Sequence, residues 1–268
     1  MENFSNVKVI AQKEFTDHLK SPVFLSFTAT FTLVVLAWSY VQGTEVEYTL
    51  NVLGSPDIMR GFKGVAEVVG CFAPIIGIVL GFDAIVKEIR SSSMNVLLTH
   101  PVFRDNIILG KILGSGSCIL LVLFFSINLA TGVMLMASGL PVTMQQIIRI
   151  EMFVFLTFFY ALIFLAISIM ISTIAKKSNN SFLFNLIFWL VITVLLAKLI
   201  FTVSYAFSED LNIANSQTQT IKNFLPDYHF SATAVGIKDI NTGLTSGIGG
   251  IFDTRYTLGA WIGEFWPN

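Results

Sequence analysis

The chain has 268 residues, of which 54% are hydrophobic and only 12% charged, with a formal net charge of -1. So few charges in so apolar a chain, with 25 phenylalanines, fit lipid-facing and helix-packing surface better than a soluble core. A charge this close to zero leaves no basic footprint, which excludes nucleic acid as a partner.

The first element in chain order is an amphipathic helix from Asn6 to Lys20. Val7, Ala11, Phe15 and Leu19 recur at a spacing of four with Ile10 beside them, while Lys8, Lys13, Asp17 and Lys20 fall away from that stripe. Such a helix lies along a membrane surface, and it turns into the first span near Ser21-Pro22. It serves either as an interfacial anchor or as a docking element. Pro22 to Val41 is the first apolar run. It lacks a small-residue cleavage site and is longer than a signal core, so it reads as a retained span. Further runs at Val65 to Ile85, Ile112 to Ala137, Met152 to Ile174 and Phe182 to Phe207 each approach or exceed the ~20 residues that a membrane helix needs. The expected fold is therefore all-α and polytopic, with five spans. It divides into an interfacial helix over 1–21, a membrane domain over 22–207 with a loop at 86–111, and a tail over 208–268.

Lys8, Lys13, Lys20, Lys87, Arg90, Arg104, Lys111, Lys176 and Lys177 share one side, against Arg60, Lys63 and Arg149 in the opposite short loops. The excess of basic residues puts the amino terminus in the cytoplasm and, with five spans, the tail outside. Glu67, Asp83, Glu151 and Lys198 lie in or at spans, close enough to their ends to snorkel to the interface. Cys71 and Cys118 both fall inside spans and are read as small apolar residues rather than a disulfide framework.

The loop between the second and third spans carries the chain's densest pattern. Met94, Leu97 and Leu98 form an apolar patch, and Pro101 interrupts the helix so that a new one starts at Arg104. Lys87, Glu88, Arg90 and Arg104 rim that patch. Periodicity alone leaves a solvated loop open as the reading. Gly77 with Gly81, and Gly110 with Gly114, repeat small residues at the spacing that permits close helix contact. Packing between the two spans of this hairpin is expected, with a pivot for loop motion as the alternative.

The order of these features resembles a known family. The charged pair Glu88 and Arg90 after the second span, the small-residue step Ser92-Ser93, the run LLTHPVFRDNIILGK and the KEF at Lys13 to Phe15 are similar to the ABC-2 type permeases, also called type V ABC exporters. Within them the chain looks closest to the permeases grouped with the one serving copper-site maturation of nitrous oxide reductase. The resemblance covers Asn6 to about Asp227 and departs from the family's usual glycine at Ser92-Ser93. It implies a permease subunit in the cytoplasmic membrane, which dimerises with itself or a second permease chain and binds cytoplasmic ABC ATPase subunits. Lys13 and Glu14 would lie against the ATPase, and the segment with Glu88, Arg90, Met94, Leu97, Leu98, Pro101 and Arg104 would be its coupling helix, while Lys111 matches the lysine that opens the third span. Export driven by the partner's ATP hydrolysis is the expected activity. The alternative is a non-transporting scaffold that links the ATPase to an extracytoplasmic maturation factor.

No G-x-x-x-x-G-K-[ST], H-E-x-x-H or G-x-S-x-G run occurs, so neither nucleotide chemistry of the phosphate-loop type nor those hydrolytic sites reside in this chain. ATP would be bound by the partner, and no cofactor or metal is expected here. His18, His100 and His229 lie outside the spans and lack ligand spacing, which disfavours a haem-binding redox enzyme. In the tail, NFLPDYHF at 223–230 and GLTSGIGGIFDT at 243–254 are too short to span. Tyr228, Phe230, Trp261 and Trp266 suggest contact with a membrane surface or a partner. The family norm is six spans, and the closing FWPN resembles the approach to another helix, so the sequence leads one to expect a truncated or split member.

Overall fold

A computed structural model describes residues 2–53, 57–90, 104–196, 225–236 and 249–265, with backbone positions 199, 202, 203 and 206. Among them all regular structure is helical: α1 Glu2–Lys20, α2 Pro22–Leu53, α3 Ile58–Gly81, α4 Val86–Arg90, α5 Arg104–Ser138, α6 Met144–Ile174, α7 Ser178–Leu190, α8 Pro226–Ala234 and α9 Leu258–Phe265. Among the described residues four helical stretches are long and apolar enough to cross a membrane, namely Pro22–Tyr48, Ile58–Ile89, Asp105–Ser138 and Met144–Ile174. The chain is thus a multi-pass helical membrane protein. The fifth predicted span begins in α7 and continues as a π-helix over Val191–Leu196, and the rest of it lies mostly outside the described residues, Lys198 included.

Local chemistry sets the helix ends. Ser21 Oγ accepts from the Phe24 N–H with Pro22 at the first helical position, so α1 stops and α2 starts where the sequence predicts. Thr143 and Gln146 form a reciprocal capping box at the start of α6: Gln146 Oε1 accepts from Thr143 N–H at 2.9 Å and Thr143 Oγ1 from Gln146 N–H at 3.4 Å. Gly139, with φ 65°, ends α5 in the left-handed conformation that glycine adopts without strain. α2, α5 and α6 all run past the apolar stretches that the sequence marks.

The contacts divide into two compact units, the first of residues 1–34, 72–126 and 158–187 and the second of 35–71, 127–157 and 188–268. In the first, the break between α3 and α4 is caught by α6. Ser172 Oγ accepts from the Ile85 and Val86 N–H groups at 3.0 and 3.2 Å, and Ser168 Oγ donates to the Ile78 carbonyl at 3.3 Å. These bonds are buried, and Ser172 satisfies two N–H donors that the broken helix would leave orphaned in lipid, while the Ile78 carbonyl that Ser168 meets already accepts from the Phe82 N–H at 2.9 Å. Gly77 and Gly81 make room for this: a Cβ at Gly77 would sit 2.5 Å from the Ala161 carbonyl oxygen, and one at Gly81 2.7 Å from Ser168 Cβ. Gly110 and Gly114 instead face α1, through Ile10, Ala11 and Glu14. The small-residue stripes do bring helices together, but not the two spans of the loop hairpin: one receives α6, the other α1.

In the second unit the described parts of the tail fold back on their own chain. Phe252 stacks on Phe62 at 5.5 Å and meets Phe153 edge-on at 5.1 Å, and Phe230 packs on Phe153 at 6.0 Å. Of the aromatics expected to reach a membrane surface or a partner, Phe230 and Trp261 are buried within this unit, Tyr228 is half-buried, and Trp266 lies outside the described residues. Arg149 on α6 donates from Nη1 to the carbonyls of Ile251 and Asp253 at 2.5 and 3.1 Å and from Nη2 to that of Tyr256 at 2.5 Å. Asp57 accepts from Met59 N–H at the start of α3 and from Thr254 Oγ1 at 2.6 Å, tying the same return segment down.

Candidate functional site

The first unit holds a cluster of buried charge where α1, α4 and α5 meet. The route to it is already in the sequence: Glu14 and His18 are one turn apart on α1, Lys111 and Ser115 one turn apart on α5. With Gly110 and Gly114 lacking side chains, α1 settles directly on α5, and the two polar pairs face each other. Lys111 Nζ then lies 2.7 Å from Glu14 Oε1 and 2.7 Å from Glu88 Oε1 of α4. His18 Nε2 shares a 2.9 Å hydrogen bond with Ser115 Oγ and stands 3.8 Å from Glu14 Oε2. Lys111 is 1% exposed and both glutamates 8%. Charges this deep are stable only because each is matched at hydrogen-bond distance, since a lone one would carry a desolvation cost of several kcal/mol.

Of the residues singled out in the sequence, Glu14 and Glu88 turn inward to Lys111, whereas Lys13 stays exposed, 4.0 Å from Glu88 Oε1. Arg90 ends α4 and Arg104 begins α5. Met94, Leu97, Leu98 and Pro101 lie outside the described residues, as do Ser92, Ser93 and His100. The loop ends are thus fixed by the bridge across its base. His18, Ser115 and Asp83 were not recognised as site residues, and Lys111 only through the family likeness. Their spacing of one helical turn was visible, but not which helix they would meet.

Asp83 lines a cleft with His18, Lys13, Asp17 and Lys87. Burial pushes the His18 imidazole below its ordinary 6.5, against the opposing pull of the Glu14 and Asp83 carboxylates. Above 6.5 the imidazole is neutral in folded and unfolded chains alike. Below it the unfolded chain takes up a proton that the folded site resists, so stability falls with pH. Thermal unfolding of the detergent-solubilised chain should therefore shift down between about pH 7 and pH 5. His18→Gln, which keeps a partner for Ser115, should flatten that slope; an unchanged slope would place the titrating group elsewhere.

In the second unit, Glu67, Cys71, Asp227 and Phe230 line a shallow pocket. Among the described residues no group of three or more His, Cys, Asp or Glu is arranged to hold a metal ion, and both cysteines are free.

Residues 8–235 match the family model described as ABC-2 family transporter protein. The chain is 26% identical over 136 residues to a protein described as "Probable ABC transporter permease protein NosY" from Stutzerimonas stutzeri, covering 50% of this chain and 48% of the relative. It is 31% identical over 112 residues to a protein of the same description from Pseudomonas aeruginosa, covering 41% of this chain and 38% of the relative. The matched stretch spans about half the length of the first relative and less of the second.

Proposed function

The chain belongs to the ABC-2 transporter family, and from that premise we propose that it is the permease subunit of an ABC transporter. In this reading it exports an unidentified substrate across the cytoplasmic membrane, with its amino terminus in the cytoplasm. ATP is bound and hydrolysed by a separate ABC ATPase subunit, and the chain itself carries no cofactor. Two permease copies, or this chain and a second permease, enclose the path.

The observation that supports this reading is the Glu14–Lys111–Glu88 bridge. Residues 91–103 form the segment between α4 and α5, and the bridge locks the base of that segment to α1. A push on the segment by a closing ATPase would be passed to α1, α4 and the start of α5 together. Met94, Leu97, Leu98 and Pro101 would supply the apolar contact, with Lys13, Arg90 and Arg104 around it, while Glu14 and Glu88 hold the lever to the bundle. ATP then shifts the permease between two arrangements to the extent that the ATPase contacts them differently.

The test is to co-purify the tagged full chain with its ABC ATPase and follow ATP hydrolysis in proteoliposomes. Leu97→Asp, which puts a charge into the apolar patch, should abolish both co-purification and permease-dependent hydrolysis, because an unpaired charge at the centre of an interface is strongly unfavourable. Unaltered association and hydrolysis would reject this segment as the coupling element. Substrate accumulation in inverted vesicles separates export from a scaffold that only transmits motion.

A further inference from the structure

Two adjoining clefts in the first unit fit the two halves of a phospholipid. The first is a cavity of about 200 Å³ whose polar wall includes Lys13, Asp17, Asp83 and Lys87. The second is an apolar groove of about 730 Å³ running along Pro22, Phe27, Thr30 and Phe182. Val23, Val79 and Phe82 line both, so the polar cleft opens directly onto the apolar one. The junction sits at Ser21-Pro22, where a surface-type amphipathic helix turns into a membrane span, which is the depth at which headgroups meet acyl chains.

The charges around the polar cleft restrict the headgroup. Glu14 and Glu88 share Lys111, and burial favours a neutral His18. Lys13, 4.0 Å from Glu88, and Lys87 then stand beside Asp17 and Asp83, both signs in one cleft with no positive excess. An anionic headgroup would meet carboxylates with no surplus cation to offset them. A zwitterion carrying phosphate and ammonium answers both signs at once, the phosphate toward Lys87 and the ammonium toward Asp17 and Asp83. A primary ammonium donates hydrogen bonds to carboxylates, which are stronger than neutral ones, whereas a trimethylated one has no N–H to give.

We propose that this pair of clefts is a binding site for a membrane phospholipid with a primary-amine headgroup of the phosphatidylethanolamine type, one acyl chain lying in the Pro22–Phe182 groove. The site adjoins the base of the coupling segment, sharing Lys13 with it, and does not depend on what is transported.

Native mass spectrometry of the full chain in mild detergent, titrated with phosphatidylethanolamine, phosphatidylcholine and phosphatidylglycerol of identical acyl chains, tests this. One phosphatidylethanolamine per chain should be retained about tenfold more tightly than either of the others, a difference equal to one good charge-assisted hydrogen bond. Asp17→Asn with Asp83→Asn should erase the preference over phosphatidylcholine while leaving thermal unfolding within a few degrees of the natural chain. Ser26→Trp, which fills the apolar groove, should weaken all three lipids together. Equal retention of the three by the natural chain, or a preference that survives the double Asn variant, would overturn the proposal. Binding that is unaffected by Ser26→Trp would exclude the groove as the acyl site.

Discussion

Lys111→Met should destabilise the first unit by about 3–5 kcal/mol, the usual cost of removing one partner from a buried ion pair, because it leaves two buried carboxylates facing each other. The lysine is 1% exposed and within 2.7 Å of both glutamates, so water cannot take its place without the helices moving apart. The combined change Glu14→Gln, Lys111→Met and Glu88→Gln should recover most of that loss. Neutral groups of similar size avoid the desolvation of three charges, and replacing a whole buried charge cluster is often neutral or stabilising. If the bridge is the lever of the proposed permease, this well-folded triple variant should bind its ATPase but no longer couple hydrolysis to transport. Thermal unfolding in detergent and hydrolysis in proteoliposomes measure the two properties separately. A Lys111→Met variant within about 1 kcal/mol of the natural chain would show that the cluster is hydrated. A triple variant that still couples would confine the bridge to stability.

The same cluster shows where sequence reading stops. Ser21-Pro22 as the turn into the first span, Arg104 as a helix start and Ile174 as a helix end were all legible, because proline, polar caps and apolar length act locally. The break after Gly81 was not, since the Ile85 and Val86 N–H groups that it frees are taken up by Ser172 of α6, a partner that local sequence does not name. Glu14, Glu88 and Lys111 were singled out one by one, but their pairing was hidden: Glu14 and Lys111 are 97 residues apart. The glycines that admit α1 to α5 carried the correct message of close approach without naming the partner. Spacing reports which residues share a face, and only tertiary contact reports what that face meets. The family likeness supplied the importance of Lys111 and Glu88 without their geometry. It also implied an ATPase contact for Glu14 and Glu88, and the fold pairs both with Lys111 at the base of the loop.

Arg149 is the second case, counted in the sequence only as a stray positive charge on the sparsely charged side. In the fold it is 5% exposed and donates to three backbone carbonyls, those of Ile251, Asp253 and Tyr256. Those carbonyls belong to a segment without helix or strand of its own, so the guanidinium replaces the ladder that regular structure would have supplied. Beside it, Asp253 accepts from the backbone N–H and guanidinium of Arg255, and this holds its carboxyl below the usual value of 3.8 and fixes the bend. Arg149→Leu should strand the three acceptors at about 1–3 kcal/mol each, enough to detach the segment rather than leave it docked and unsatisfied. Detachment would also withdraw Phe252 from between Phe62 and Phe153, adding the loss of a buried aromatic. Arg149→Lys should rescue only part of the effect, because a single ammonium lacks the fork that reaches three carbonyls on two sides. Limited proteolysis of proteoliposomes should reveal this as rapid cleavage within 249–257 in the Leu variant, intermediate cleavage in the Lys variant and slow cleavage in the natural chain. Equal rates in all three would mean that the aromatic contacts alone hold the segment. In that event Phe252→Ala, not Arg149→Leu, would be the substitution that frees it.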